Sequence, residues 1–233
     1  MQLLVRLLDF IALVIILSSL RQRLVYELSG TSLLLFSTTS PGIFLYSILV
    51  LPGTIIHELS HWIVAEVLGV RTGQISIFPD LETGASTRRL GSVATAKSDP
   101  FRAFLIGIAP FISGLAILAV LGTLLSDGWG VFAWWINDLI IYGIMVIGNG
   151  MMISESDRRT WPFIIVFLII IWIFLSKQTI FDLSFTYDLI TTTLKPLNSV
   201  LLVTAGLNLV MIVGSYAIRK LIERLTGKRI IHK

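Results

Sequence analysis

The chain has no cysteine, so disulfides and thiolate ligands are excluded and any metal it holds must be bound through nitrogen and oxygen. It has only three histidines, and its charged residues make up 14% of 233 positions. Against 55% hydrophobic residues and a mean hydropathy of +0.88, so few charges exclude a water-soluble globule, which could not hide that much apolar side chain. The net charge of +4 and the pI near 9.6 do not point to nucleic acid. The basic residues fall between and after apolar runs, which is the pattern of membrane topology.

Two of the three histidines belong to one pentapeptide, His57-Glu58-Leu59-Ser60-His61, which fits H-E-x-x-H. On a helix these histidines lie one turn apart on one face, where both imidazoles can reach a single Zn²⁺ with Glu58 beside the attacking water. The surrounding residues, 43–68, are largely apolar, and ionisable side chains in such a stretch call for a functional reason.

The apolar runs predict an all-α polytopic membrane protein, a single integral membrane domain over residues 1–233 with about six transmembrane helices. The first span covers 3–20. Arg21-Gln22-Arg23 follows it in place of a small-x-small cleavage site, so it reads as a retained helix, with Asp9 a packing or snorkelling partner. Residues 24–39 are too short in apolar content to span and read as an interfacial or partly inserted segment. Ser40-Pro41 then starts a helix that runs to 68, with Gly69 as its stop and a kink at Pro52 about one turn before His57. Residues 71–99 are polar and leave no room for a folded soluble domain. Gln74-Ile75-Ser76-Ile77-Phe78 alternates, predicting a short strand that pairs with 90–95. Further spans are expected at 101–125, 131–148, 161–175 and 197–218, with a basic tail over 219–233.

With the N-terminus in the cytoplasm, the inner side receives fourteen lysines and arginines and the outer side only Arg21, Arg23, Lys177 and Lys195. Both termini are then cytoplasmic, in a multi-pass protein of the cell membrane. Entered from outside at Pro41, the motif would sit toward the cytoplasmic end, His57 lying about 24 Å along a helix rising ~1.5 Å per residue.

A catalytic zinc takes three protein ligands. His232 lies in the tail and is a poor candidate, Asp138 is near the outer end of its span, and Glu66 is directed elsewhere. Glu155 and Asp157, in the polar break after the fourth span, are at the right depth. Depth alone favours Asp157 only narrowly, and both also read as solvated acids beside Arg158 and Arg159.

An H-E-x-x-H within a membrane helix, followed by Asn149-Gly-Met-Met-Ile-Ser-Glu-Ser-Asp157 in an N-x7-D pattern, resembles the site-2 protease family of intramembrane zinc metalloproteases. The resemblance covers residues 40–160, which it marks as a three-helix catalytic core with a small membrane-associated β-element; the stretch from Gly107 through Pro110 to Gly114 is similar to the family's third core helix. It implies Zn²⁺ held by His57, His61 and Asp157, with Glu58 as general base and Asn149 holding substrate or orienting the site. The chain departs from the family in having Ser156-Asp157-Arg158 where Leu-Asp-Gly is usual, in lacking the usual prolines there, and in having no inserted PDZ domain. The implied activity is hydrolysis of peptide bonds in membrane-spanning substrates near the cytoplasmic side, with the lipid bilayer as surroundings, no nucleic acid, and homo-oligomerisation left open. The alternatives are a catalytically inactive membrane scaffold or chaperone of the same fold, against which the intact Glu58 argues, and a metal transporter, against which Asp9 and Asp138 argue by standing apart from the histidines.

Overall fold

A computed structural model describes residues 2–77, 91–152 and 183–228, with four isolated positions between 162 and 170; of the last helix, side chains are described from 191 onward. The elements are α1 (Gln2–Phe36), α2 (Ser40–Leu49), α3 (Leu51–Val67), β1 (Thr72–Ser76), β2 (Ser92–Thr95), α4 (Pro100–Gly128), α5 (Trp134–Gly150) and α6 (Leu183–Thr226). The protein is mostly helical with one two-stranded sheet. Among the described residues, α1, α4 and residues 191–226 of α6 are long and apolar enough to cross a membrane, and α2 with α3 makes a fourth if the bent pair is one span. The six-span expectation is not reached among these residues, and the expected span at 161–175 lies almost wholly outside them.

One expectation is corrected by the path of α1. Residues 24–36 continue the first helix: Leu24, Glu27, Gly30 and Leu34 are buried on one face, and the Ser32 hydroxyl donates to the Thr38 carbonyl at 2.8 Å. Glu27, wholly buried, is bonded by Arg219 Nε at 2.6 Å and by Arg23 at 2.6 Å. Near the other end of α1, the Arg6 guanidinium donates to the Thr191 carbonyl and the Asn198 amide donates to the Arg6 carbonyl at 3.0 Å. Arg6 is therefore level with Asn198, and Glu27 with Arg219. The helices run parallel, so the start of α1 and the end of α6 lie at opposite ends of the pair.

The bend at Pro52 is also sharper than a kink. The axes of α2 and α3 differ by 74°, with Val50 between them and Pro52 in the first turn of α3, where its missing N–H costs nothing. The freed carbonyl of Leu49 accepts from the Tyr142 hydroxyl of α5 at 2.9 Å. Gly42 lies against the Leu28 backbone in the second half of α1, Tyr46 and Val50 pack with Leu24 and Ile212, and at the far end of α3 Ala65 packs with Ile106, early in α4. Both limbs are thus anchored at one end of the bundle, and the motif lies on the returning limb.

Helices α4 and α5 are antiparallel: Gly143 faces Leu121, and Gly114 faces Met151. α5 runs beside α6, with Gly148 on Thr204 and Asn149 bonded to Asn208. The main core, around Leu17, Leu118, Ile144, Met151 and Leu201, fills the space between α1, α4, α5 and α6. The sheet is as the alternation predicts: β1 and β2 are antiparallel with Thr72 opposite Thr95 and Ser76 opposite Ser92, with an irregularity between Thr72 and Ile75. Asp99 caps α4, its carboxylate accepting from the N–H groups of Arg102 at 3.0 Å and Phe101 at 3.1 Å; the Arg102 N–H is the main cause that holds this acid below its ordinary pKa.

Candidate metal centre

The pentapeptide is helical, as its spacing requires, and its face is turned toward α4 and α5. Glu58, Ser60 and His61 are buried and His57 is partly so. The ring of His57 uses Nδ1 on the Gly150 carbonyl at 2.7 Å, and His61 uses Nδ1 on the Ile106 carbonyl at 2.7 Å. A carbonyl oxygen only accepts, so both Nδ1 atoms carry hydrogen, and in the neutral rings both Nε2 atoms carry lone pairs. These Nε2 atoms face each other at 3.2 Å, with the rings inclined at 82°. Two lone pairs at that separation repel unless a cation lies between or beside them. Two nitrogens each ~2.05 Å from a tetrahedral ion stand about 3.3 Å apart, so the pair has the spacing that zinc ligands require.

Each carbonyl acceptor is free for a local reason. Gly150 is the last residue of α5, where a carbonyl is open to a partner from outside its own helix. It reaches His57 because α3 and α5 cross backbone to backbone: a Cβ on Gly53 would stand 2.4 Å from the Val146 oxygen, and one on Gly150 only 2.8 Å from the Gly53 carbonyl carbon. Ile106 lies four residues before Pro110, which has no N–H to offer it. Ser60 joins the same surface, its hydroxyl 2.6 Å from that of Ser113 on α4. Above the helix, the sheet presses on the acid: a Cβ on Gly91 would meet Glu58 Oε1 at 2.8 Å and the Ser76 oxygen at 3.0 Å. A small cleft of about 10 Å³ between α3, α4 and α5 reaches His57, bordered by Gly53, Pro110, Gly114 and Gly150.

The remaining candidates divide. Asn149 is buried at the end of α5, but its amide is spent on α6 and on its own helix: it donates to the Asn208 oxygen at 2.9 Å and to the Met145 carbonyl at 2.8 Å, and its oxygen accepts from Asn208 at 2.9 Å. It therefore fixes the helix end that carries the Gly150 carbonyl. Asp157 and its rival Glu155 lie outside the described residues, as does His232. Among the described residues no group of three metal-binding side chains assembles. Glu66 is exposed and accepts from the Thr72 hydroxyl at 2.5 Å, while Asp9 and Asp138 are exposed. Sequence reasoning missed Asn208 and the two carbonyls. Asn208 had a signal, an amide inside an apolar helix, but its partner is 59 residues away and no local pattern names it.

Comparison with protein-family models, with curated proteins and with solved structures finds no match to this chain.

Proposed function

We propose that the chain is an intramembrane zinc metalloprotease that hydrolyses peptide bonds of membrane-spanning substrates, as its resemblance to the site-2 protease family implies. The observation that carries the reading is the pair of imidazoles pinned through Nδ1 with Nε2 atoms 3.2 Å apart. This donor set fits Zn²⁺: two neutral nitrogens aimed at one point, each oriented by a backbone carbonyl. His57 and His61 would hold the ion with Asp157 as third ligand, Asp157 being taken from the N-x7-D pattern. When bound, the metal supplies Lewis acidity to the scissile carbonyl and the attacking water. Glu58, one residue from His57 and buried under Gly91, takes the proton of that water and returns it to the leaving nitrogen. The β1–β2 hairpin beside Glu58 offers backbone to an extended substrate segment, which must leave its helical form before a bond is exposed.

The parallel packing of α1 and α6, taken with the basic residues, supports an orientation. Arg21, Arg23, Arg71, Lys97, Arg102, Arg219, Lys220, Arg224 and Lys228 gather toward the end that carries the motif and the hairpin, while Arg6 and Lys195 are the described basic residues toward the other. The motif end is cytoplasmic on this bias, with the start of α1 outside and the end of α6 inside. The bent α2–α3 pair then dips into the membrane from the cytoplasmic side and brings His57 and His61 back toward it.

Reconstituted protein incubated with single-span membrane substrates is expected to cleave them, and Glu58→Gln is expected to lower the rate at least a hundredfold, the usual scale of general-base catalysis being ~10²–10⁴. Cleavage by Glu58→Gln at the parental rate would exclude the assignment.

A further inference from the structure

We propose that Pro110 is a positioning residue for His61, acting by withholding an N–H from the Ile106 carbonyl so that this carbonyl can hold the His61 ring in the Nδ1-protonated tautomer. The inference rests on the metal reading above. A proline inside a helix costs about 3 kcal/mol relative to alanine, through the lost hydrogen bond and the clash with the preceding turn. α4 carries one ten residues after its start, in a stretch where Ile106, Ala109 and Pro110 are all buried. The carbonyl four residues before it is the one that His61 Nδ1 engages at 2.7 Å. With an ordinary residue at 110, that oxygen would accept the N–H of position 110 along the helix axis, and the imidazole would compete for it. Without that N–H, the oxygen is a buried acceptor that needs a donor from outside its own helix, and His61 is the donor that answers it. His57 is served by the same device in another form, since the Gly150 carbonyl is freed by the end of α5. Both imidazoles are thus oriented by carbonyls at an interruption or an end of a helix, which sends both Nε2 atoms to one point.

The experiment compares the full-length parent with Pro110→Ala in detergent, reading zinc affinity by competition with a chromophoric chelator and the thermal unfolding of the metal-free protein. Pro110→Ala is expected to bind zinc about 10–100-fold more weakly, the scale of losing an outer-shell partner, while its metal-free form unfolds no earlier than the parent because a helical bond has been restored. The α-hydroxy analogue of alanine at position 110, which has neither ring nor N–H, is expected to keep parental affinity. A Pro110→Ala affinity within twofold of the parent overturns the proposal, as does an α-hydroxy analogue as weak as Pro110→Ala. The third reading needs no variant and no metal: ¹⁵N spectra of histidine-labelled, metal-free parent are expected to show His61 protonated at Nδ1, and protonation at Nε2 alone overturns the proposal even if Pro110→Ala does not fold. A parent that binds no zinc while His61 is protonated at Nδ1 would sink the metal reading and leave the role of Pro110 standing.

Discussion

Replacing Asn149 or Asn208 by leucine should show strong coupling between α5 and α6. Each amide donates to the other's oxygen at 2.9 Å, and both side chains are buried, at 3% and 0% exposure. Asn149→Leu removes both reciprocal bonds and leaves the Asn208 amide with an unanswered donor and acceptor. Hydrogen bonds between membrane helices average about 0.6 kcal/mol and reach about 1.7, so two of them place the coupling at about 1–3 kcal/mol. Each single variant is expected to lose that amount in unfolding by SDS titration from mixed micelles, whereas Asn149→Leu/Asn208→Leu should recover most of it, because paired apolar residues leave no amide unsatisfied. Zinc affinity adds a second reading. Asn149 precedes the Gly150 carbonyl that orients His57, so the single variants should also weaken zinc binding. Losses in the two single variants that simply add in the double variant would refute the reasoning, since an unshared contact has no coupling.

Three further outcomes follow from the packing. Glu27→Leu leaves Arg219 buried beside a lipid-like side chain, and because Glu223 still holds it at 2.8 Å the expected loss is about 3 kcal/mol, the low end for breaking a buried pair, read by the same unfolding assay. Gly150→Ala forces a methyl into the Gly53 backbone; overpacking of that kind costs about 1–3 kcal/mol, and displacement of the Gly150 carbonyl should weaken zinc binding, which the chelator competition measures. Because the chain has no cysteine, single substitutions Gln2→Cys and Lys228→Cys report topology without background. A membrane-impermeant maleimide added outside intact cells should label the first and not the second.

The sequence was most legible where one residue dictates its own surroundings. H-E-x-x-H read as two imidazoles on one helical face, and the structure brings the two rings together there; alternation in 74–78 read as a strand, and the hairpin is there with β1 at Thr72–Ser76. Pro52 announced a break, but its size depends on how Tyr142 and Gly150 of α5 receive it, and these partners lie about ninety residues or more on. Residues 24–36 misled because their apolar run is too short to span a membrane by itself. Arg219, 192 residues away, gives Glu27 its partner and makes the segment part of a long helix. The basic-residue count depends on which end of the bundle Arg21 and Arg23 join, and the α1–α6 register that brings Glu27 level with Arg219 has no one-dimensional signal. For the site, sequence could name side chains but not the backbone oxygens of Ile106 and Gly150, whose availability depends on where helices end and where a proline interrupts them.

The central claim is that the facing imidazoles form a cation site for zinc. Metal analysis with zinc K-edge absorption on the purified parent, beside His57→Ala and His61→Ala, tests it most directly. The account predicts about one zinc per chain in a first shell of nitrogen and oxygen at ~2.0–2.1 Å that includes two imidazoles, with zinc lost from both variants. A parent free of zinc after equilibration with the ion, or variants that retain it in full, would contradict the account and leave a shared proton as the cation between His57 and His61.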